Sequence, residues 1–139
     1  MLKRKIFDHA GAKAILETKG LLEQINKALD EAISVDHEKI LGLLKESGWE
    51  REKLVATGLT QRWDAYKEKV AVTVEFSLID AIQRDFFRAL LWNSQKKIDV
   101  LVCIVPMEKE PTFNSVWRNI RIFSSILTFP ILLIGVQSL

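Results

Sequence analysis

The chain has 139 residues, 48% of them hydrophobic and 27% charged, with six Gly and three Pro. That length predicts one domain with its own core, and that composition excludes disordered, collagen-like and low-complexity classes. Twenty Lys and Arg against eighteen Asp and Glu give a net charge of +2, which excludes a protein that binds nucleic acid by bulk attraction.

The opening Met1-Leu2-Lys3-Arg4-Lys5 is basic but is followed by no apolar stretch of the kind a secretory signal carries. Residues 1–50 read as helical. Leu21, Leu22, Ile25, Ala28, Leu29 and Ala32 recur at helical spacing after Gly20. Asp36 is a candidate N-cap for a further helix carrying Ile40, Leu41 and Leu44, with Gly48 as its stop. Residues 8–50 hold nine acids and five bases, the pattern of a solvated outer face.

From Arg51 the character changes. Residues 51–69 carry five bases and three acids, and the apolar period shortens towards two. In Lys69-Val70-Ala71-Val72-Thr73-Val74-Glu75-Phe76, the residues Val70, Val72, Val74 and Phe76 share one face of a strand. Arg62 to Tyr66 reads as its antiparallel neighbour, with a turn around Lys67-Glu68. Ser77 is a candidate cap for a helix whose stripe is Ile79, Ile82, Phe86, Ala89 and Leu90, widened by Phe87 and Leu91. A buried strand follows from Val100 to Val105, ending at Pro106, then a loop over 106–112. A helix from about Ser115 is expected to bury Val116, Ile120, Phe123 and Leu127, and a strand from Ile131 to Val136 ends the series. The apolar run from Ile122 to Val136 is too short to span a membrane as a helix, and Pro130 interrupts it. This order predicts a mixed α+β fold, a central mixed sheet flanked by helices.

Cys103 is the one cysteine, so no internal disulfide forms. Within its strand it reads as a small buried hydrophobe, which suits a reducing, cytoplasmic setting. His9 and His37 have no zinc-ligand spacing. Glycine-rich nucleotide loops, the HExxH zinc motif and the GxSxG elbow are all missing. What remains is a pair of carboxylates, Asp64 and Glu75, on adjacent strands. Two acids on a rigid sheet are what magnesium takes, completed by water and substrate phosphate. Such an ion activates water for attack on phosphorus. The bland alternative is an exposed charge pair.

The stretch Trp63-Asp64-Ala65-Tyr66-Lys67-Glu68-Lys69-Val70-Ala71-Val72-Thr73-Val74-Glu75-Phe76-Ser77 resembles the catalytic segment of type II restriction endonucleases of the BglII/BamHI kind, in the PD-(D/E)XK nuclease superfamily. The resemblance continues through Arg84-Asp85 and from Lys97 to Pro106. It implies a restriction-endonuclease-like core over residues 1–139, with 51–139 as its catalytic part. Asp64 matches the first acid, and Glu75 the position where such enzymes carry Gln or Glu in place of lysine. Thr73 stands where the middle acid belongs, so the motif is degenerate. A second register makes Glu75 the middle acid and puts Ser77 in the lysine position. The resemblance further implies magnesium, or manganese, held by Asp64 and Glu75 with the Val74 backbone. It also implies hydrolysis of double-stranded DNA, and a homodimer matched to palindromic sites. Lys67, Lys69, Arg84 and Arg88 are the candidate phosphate contacts. Thr73 leaves open a degenerate homologue that binds DNA or protein without catalysis, an engineered inactivating change, or an enzyme recruiting another acid such as Glu46 or Glu50.

Overall fold

Val100–Pro106 is apolar at every position because both faces of this strand are covered, and the rest of the fold follows from that burial. Val100, Val102 and Ile104 enter one core, while Leu101, Cys103 and Val105 enter the other. The computed structural model describes residues 2–54, 62–77, 79–109 and 112–139. In chain order its elements are β1 (Leu2–His9), α1 (Ala12–Lys19), α2 (Leu21–Glu31), α3 (His37–Glu46), β2 (Glu50–Leu54), β3 (Arg62–Lys67), β4 (Val70–Val74), α4 (Ile79–Ser94), β5 (Val100–Pro106), α5 (Phe113–Ile122) and β6 (Ile131–Ser138).

The strands form one six-stranded sheet ordered β1-β6-β5-β4-β3-β2. β4, β5 and β6 run parallel, while β1, β3 and β2 pair antiparallel to their neighbours. The parallel strands are joined through α4 and α5. Right-handed crossovers that step in one direction place both helices on the same face. There Ile82, Phe86, Ala89 and Trp92 of α4 and Val116 and Ile120 of α5 pack on Trp63, Leu101, Cys103 and Leu133. The opposite face is covered by α1, α2 and α3 through Leu16, Ile25, Leu29, Ile40 and Leu44. The expected mixed sheet flanked by helices is therefore observed.

The local expectations hold where periodicity was strong. Leu21, Leu22, Ile25, Ala28 and Leu29 are the buried face of α2. Asp36 caps α3 by accepting from the Lys39 N–H at 3.2 Å. Gly48, at φ 92°, supplies the left-handed backbone that turns the chain after α3. The β3–β4 turn lies at Glu68-Lys69, both with positive φ, as a two-residue hairpin turn requires.

Four expectations need correction. Residues 2–9 are a strand, not part of a helical segment, and β2 was not foreseen at all. Both are charged edge strands, whose Lys and Arg side chains hide the alternation on which strand assignment depends. Phe87 and Leu91 do not widen the buried stripe of α4; both face outward. Trp92 closes that stripe instead, packing edge-on against Trp63 and Tyr66. Phe123 is exposed because α5 starts at Phe113, capped by Thr112, and ends before Phe123. The cap expected at Ser77 adjoins residue 78, and the loop expected over 106–112 includes 110 and 111; these three lie outside the described residues.

Candidate active site

Asp64 sits where the ladders on both sides of β3 are interrupted. β2 pairs at Arg51↔Ala65 and Lys53↔Trp63, and Glu52 between them takes a left-handed φ of 56°. On the other side the β3–β4 pairing starts only at Ala65↔Val72. The Asp64 carboxylate replaces the missing ladder acceptor, its Oδ2 receiving the Val74 N–H at 2.8 Å. Local irregularity of this kind re-aims a side chain at the rim of a sheet.

The next residue, Glu75, leaves the sheet with its N–H donated to the Ile104 carbonyl at 3.0 Å. Its Oε1 accepts from the Ser77 N–H at 2.9 Å and the Ser77 hydroxyl at 2.8 Å. Ser77 therefore serves Glu75, whichever motif register applies. Thr73 is 3% exposed, beside Cys103 in the β4–β5 register, and its hydroxyl has no nitrogen or oxygen partner among the described residues. Burial pushes the Cys103 thiol up and keeps it protonated and inert, as its strand position implied.

Two residues that sequence reasoning did not single out for this chemistry join the carboxylates. His37, the first residue of α3, places Nε2 3.7 Å from Asp64 Oδ2 and Nδ1 3.3 Å from Glu38 Oε1. Asp64 chiefly, against a smaller effect of burial, holds the imidazole above its ordinary pKa. In the sequence it stands 27 positions from Asp64, with no zinc-ligand spacing to draw attention to it. Asp85 on α4 is 8% exposed and bonded to Arg88 at 3.1 Å. Burial pushes its carboxyl up to about 7, with Arg88 opposing and the charges of Asp64 and Glu75 adding to the rise. Its sequence traces are its place in the Arg84-Asp85 stretch of the resemblance and an Arg at i+3 on the same helix.

The candidate basic residues divide. Arg84 and Arg88 lie on α4 beside the acids, though Arg88 is tied to Asp85. Lys67 is committed elsewhere, its Nζ donating to Gln24 Oε1 at 3.1 Å and the Ser47 carbonyl at 2.8 Å. Lys69 is in the hairpin turn, six strand residues from Glu75 and so about 20 Å from it. Glu46 ends α3, about 14 Å along the helix from His37. Glu50 pairs with Lys53 at 3.5 Å on β2. The structure thus draws neither Glu46 nor Glu50 to Asp64.

Among the described residues, no three His, Cys, Asp or Glu side chains stand close enough to hold an ion together. The donor chemistry of Asp64 and Glu75 fits magnesium in its common mode, one or two carboxylates completed by water and substrate phosphate.

Asp85 makes stability pH-dependent in a defined sense. With its folded pKa raised from 3.8 to about 7, the folded state keeps a proton that the unfolded state has lost. The stabilisation is present below pH ~4 and lost as pH rises through ~7. Chemical denaturation of the native protein and Asp85→Asn across that window should show native stability falling more steeply, by about 4 kcal/mol in total. Parallel curves would refute the assignment.

This arrangement, a mixed sheet carrying Asp64 and the Thr73-Val74-Glu75 segment at the carboxyl end of β4, defines a type II restriction-endonuclease-like protein. Among solved structures the chain is similar to restriction endonuclease BglII complexed with a DNA 16-mer, at a TM-score of 0.85 and 16% identity. That likeness covers 98% of this chain and 78% of the other, and it shows the fold. A model of the restriction endonuclease BglII/BglIII family matches residues 4–136, and the chain belongs to that family. No curated protein matches it by sequence. Among the described residues no helix is long and apolar enough to cross a membrane.

Proposed function

We propose that the chain is a magnesium-dependent endodeoxyribonuclease that cuts double-stranded DNA as a homodimer. The observation that carries this reading is Asp64, whose carboxylate is fixed by the Val74 N–H beside the strand exit that carries Glu75. Asp64 and Glu75 would hold the ion, with the Val74 backbone assisting. When bound, it supplies polarisation of the phosphoryl oxygen and a lowered pKa for attacking water. Manganese suits the same oxygen donors. The protein orients its acids in advance: Asp64 through Val74, Glu75 through Ser77. Arg84 sits exposed beside them as a phosphate contact, and its contribution would fall with salt. DNA as substrate agrees with the DNA bound to the structurally similar BglII. The cytoplasm is the setting this reading implies.

A homodimer is supported by an apolar surface on α4 and α5. Phe87 is 74% exposed and Ile126 54%, around a groove of about 230 Å³ lined also by Phe86, Leu90, Phe123 and Leu127. Burying such side chains against a second copy is the simplest way to cover them.

Thr73 favours a second reading, a homologue that binds DNA without cutting it. A neutral hydroxyl leaves the site one carboxylate short of the family pattern. The test compares native protein with Thr73→Glu on supercoiled plasmid in magnesium and in manganese. Native cleavage is the expected result. Cleavage by the glutamate variant alone would establish the degenerate reading, and absence of DNA binding by both at low salt would overturn both.

A further inference from the structure

Hydrolysis of a phosphodiester concentrates negative charge on the phosphoryl oxygens, and donors aimed at that charge carry much of the rate. The motif position that often supplies a lysine is Glu75 here. Of the cations named for the task, Arg88 is held by Asp85, Lys67 by Gln24 and Ser47, and Lys69 lies at the far end of the hairpin, which leaves exposed Arg84 on the α4 side of the acids and neither of these lysines on the α3 side. Arg51, on β2 alongside, is held by Glu38 at 3.1 Å.

His37 is differently placed. Its side chain is 40% exposed, and its Nε2 is 3.7 Å from Asp64 Oδ2, an ion-pair distance too long for a hydrogen bond. Its Nδ1 faces Glu38 at 3.3 Å. Both ring nitrogens thus face carboxylate oxygens, Nδ1 at the shorter distance and Nε2 at the longer. The position is held firmly from behind. Asp36 caps α3, and Ile40, Leu41 and Leu44 anchor the helix in the core. The same cap directs the first turn of α3, with its partial positive charge, towards Asp64.

We propose that His37 is the residue that donates to the scissile phosphate beside Asp64, taking the part for which the strand motif has no lysine. This rests on the nuclease reading above and adds a substrate contact to it. Glu38 holds the ring through Nδ1, with Arg51 fixing Glu38, and leaves the loosely held Nε2–H as the end that turns to an incoming phosphate oxygen.

The chain has two histidines, which makes the test direct. His9 serves as an internal reference, since its Nε2 meets the Leu127 carbonyl at 2.5 Å. Imidazole nitrogen resonances of the native protein are followed as a mixed-sequence duplex is added, with calcium replacing magnesium and binding read separately by anisotropy. The His37 Nε2 signal is expected to shift on binding while that of His9 stays. In plasmid cleavage, His37→Ala should cut about 100-fold more slowly than native protein at less than threefold change in duplex affinity. His37→Lys should recover part of that loss. A bound duplex that leaves the His37 signal unmoved, or cleavage by His37→Ala within twofold of native, overturns the proposal and leaves the nuclease reading standing. A native protein that neither binds nor cuts DNA overturns both. Unequal thermal melting with unaltered cleavage assigns His37 a purely structural role, which also overturns it.

Discussion

Asp64→Asn should retain the fold and lose magnesium-dependent DNA cleavage by about 1,000-fold, equivalent to ~4 kcal/mol of transition-state stabilisation. The substitution keeps the size of the side chain, and its amide oxygen accepts the same Val74 N–H that the carboxylate now receives. What it removes is charge. With Thr73 neutral, Asp64 and Glu75 are the two acids left to the motif, so losing either halves the anionic ligand set. Manganese titration by calorimetry provides the second readout, expected to show binding lost in the variant. Unchanged cleavage would refute the placement of the ion, under either motif register. Folding is checked by denaturation, where the variant should differ little because a neutral hydrogen bond persists.

Phe87→Glu should convert a dimer to a monomer without harm to the fold. Phe87 points away from the core on α4, so its replacement costs the isolated chain almost nothing. In a two-fold interface each substitution acts twice, removing about 1.5–3 kcal/mol of apolar burial per copy. It also places two carboxylates in a desolvated patch. The dissociation constant should rise by at least ~100-fold, or ~3 kcal/mol. Sedimentation of both proteins over a concentration series measures it. A native protein that sediments as a monomer throughout, or a variant that remains dimeric, would remove this face as the interface. Double-strand cleavage should fall with the dimer while Asp64, on the far side of the sheet order from α5, stays in place.

The two carboxylates and the strand that presents them were readable from residues alone. The alternation of Val70 to Phe76 requires a sheet, and in that sheet Asp64 accepts the N–H of Val74, the residue before Glu75. The basic residues were not readable in the same way. Lys67, two places from Ala65, looked equivalent to Arg88, but the first reaches back to Gln24 and Ser47 while the second meets Asp85. A long flexible cation takes the nearest acceptor in space, and sequence gives no measure of that.

The sequence by itself determined the central strands and the amphipathic helices, and it singled out Asp64, Thr73 and Glu75 as the candidate motif positions. These depend on local periodicity and on side-chain chemistry that a position carries wherever it is placed. The edges of the sheet, the His37–Asp64 contact, the raised carboxyl of Asp85 and the outward face of Phe87 were decided only by tertiary structure. Charged edge strands have no apolar period of their own and form because a neighbour offers unpaired backbone groups. His37 and Asp64 are 27 positions apart and meet because α3 is docked across β3 by Ile40 and Leu44. Even the net charge of +2, uninformative at first sight, is sorted by folding: on α4 Arg88 is paired with Asp85, while Arg84 stays exposed.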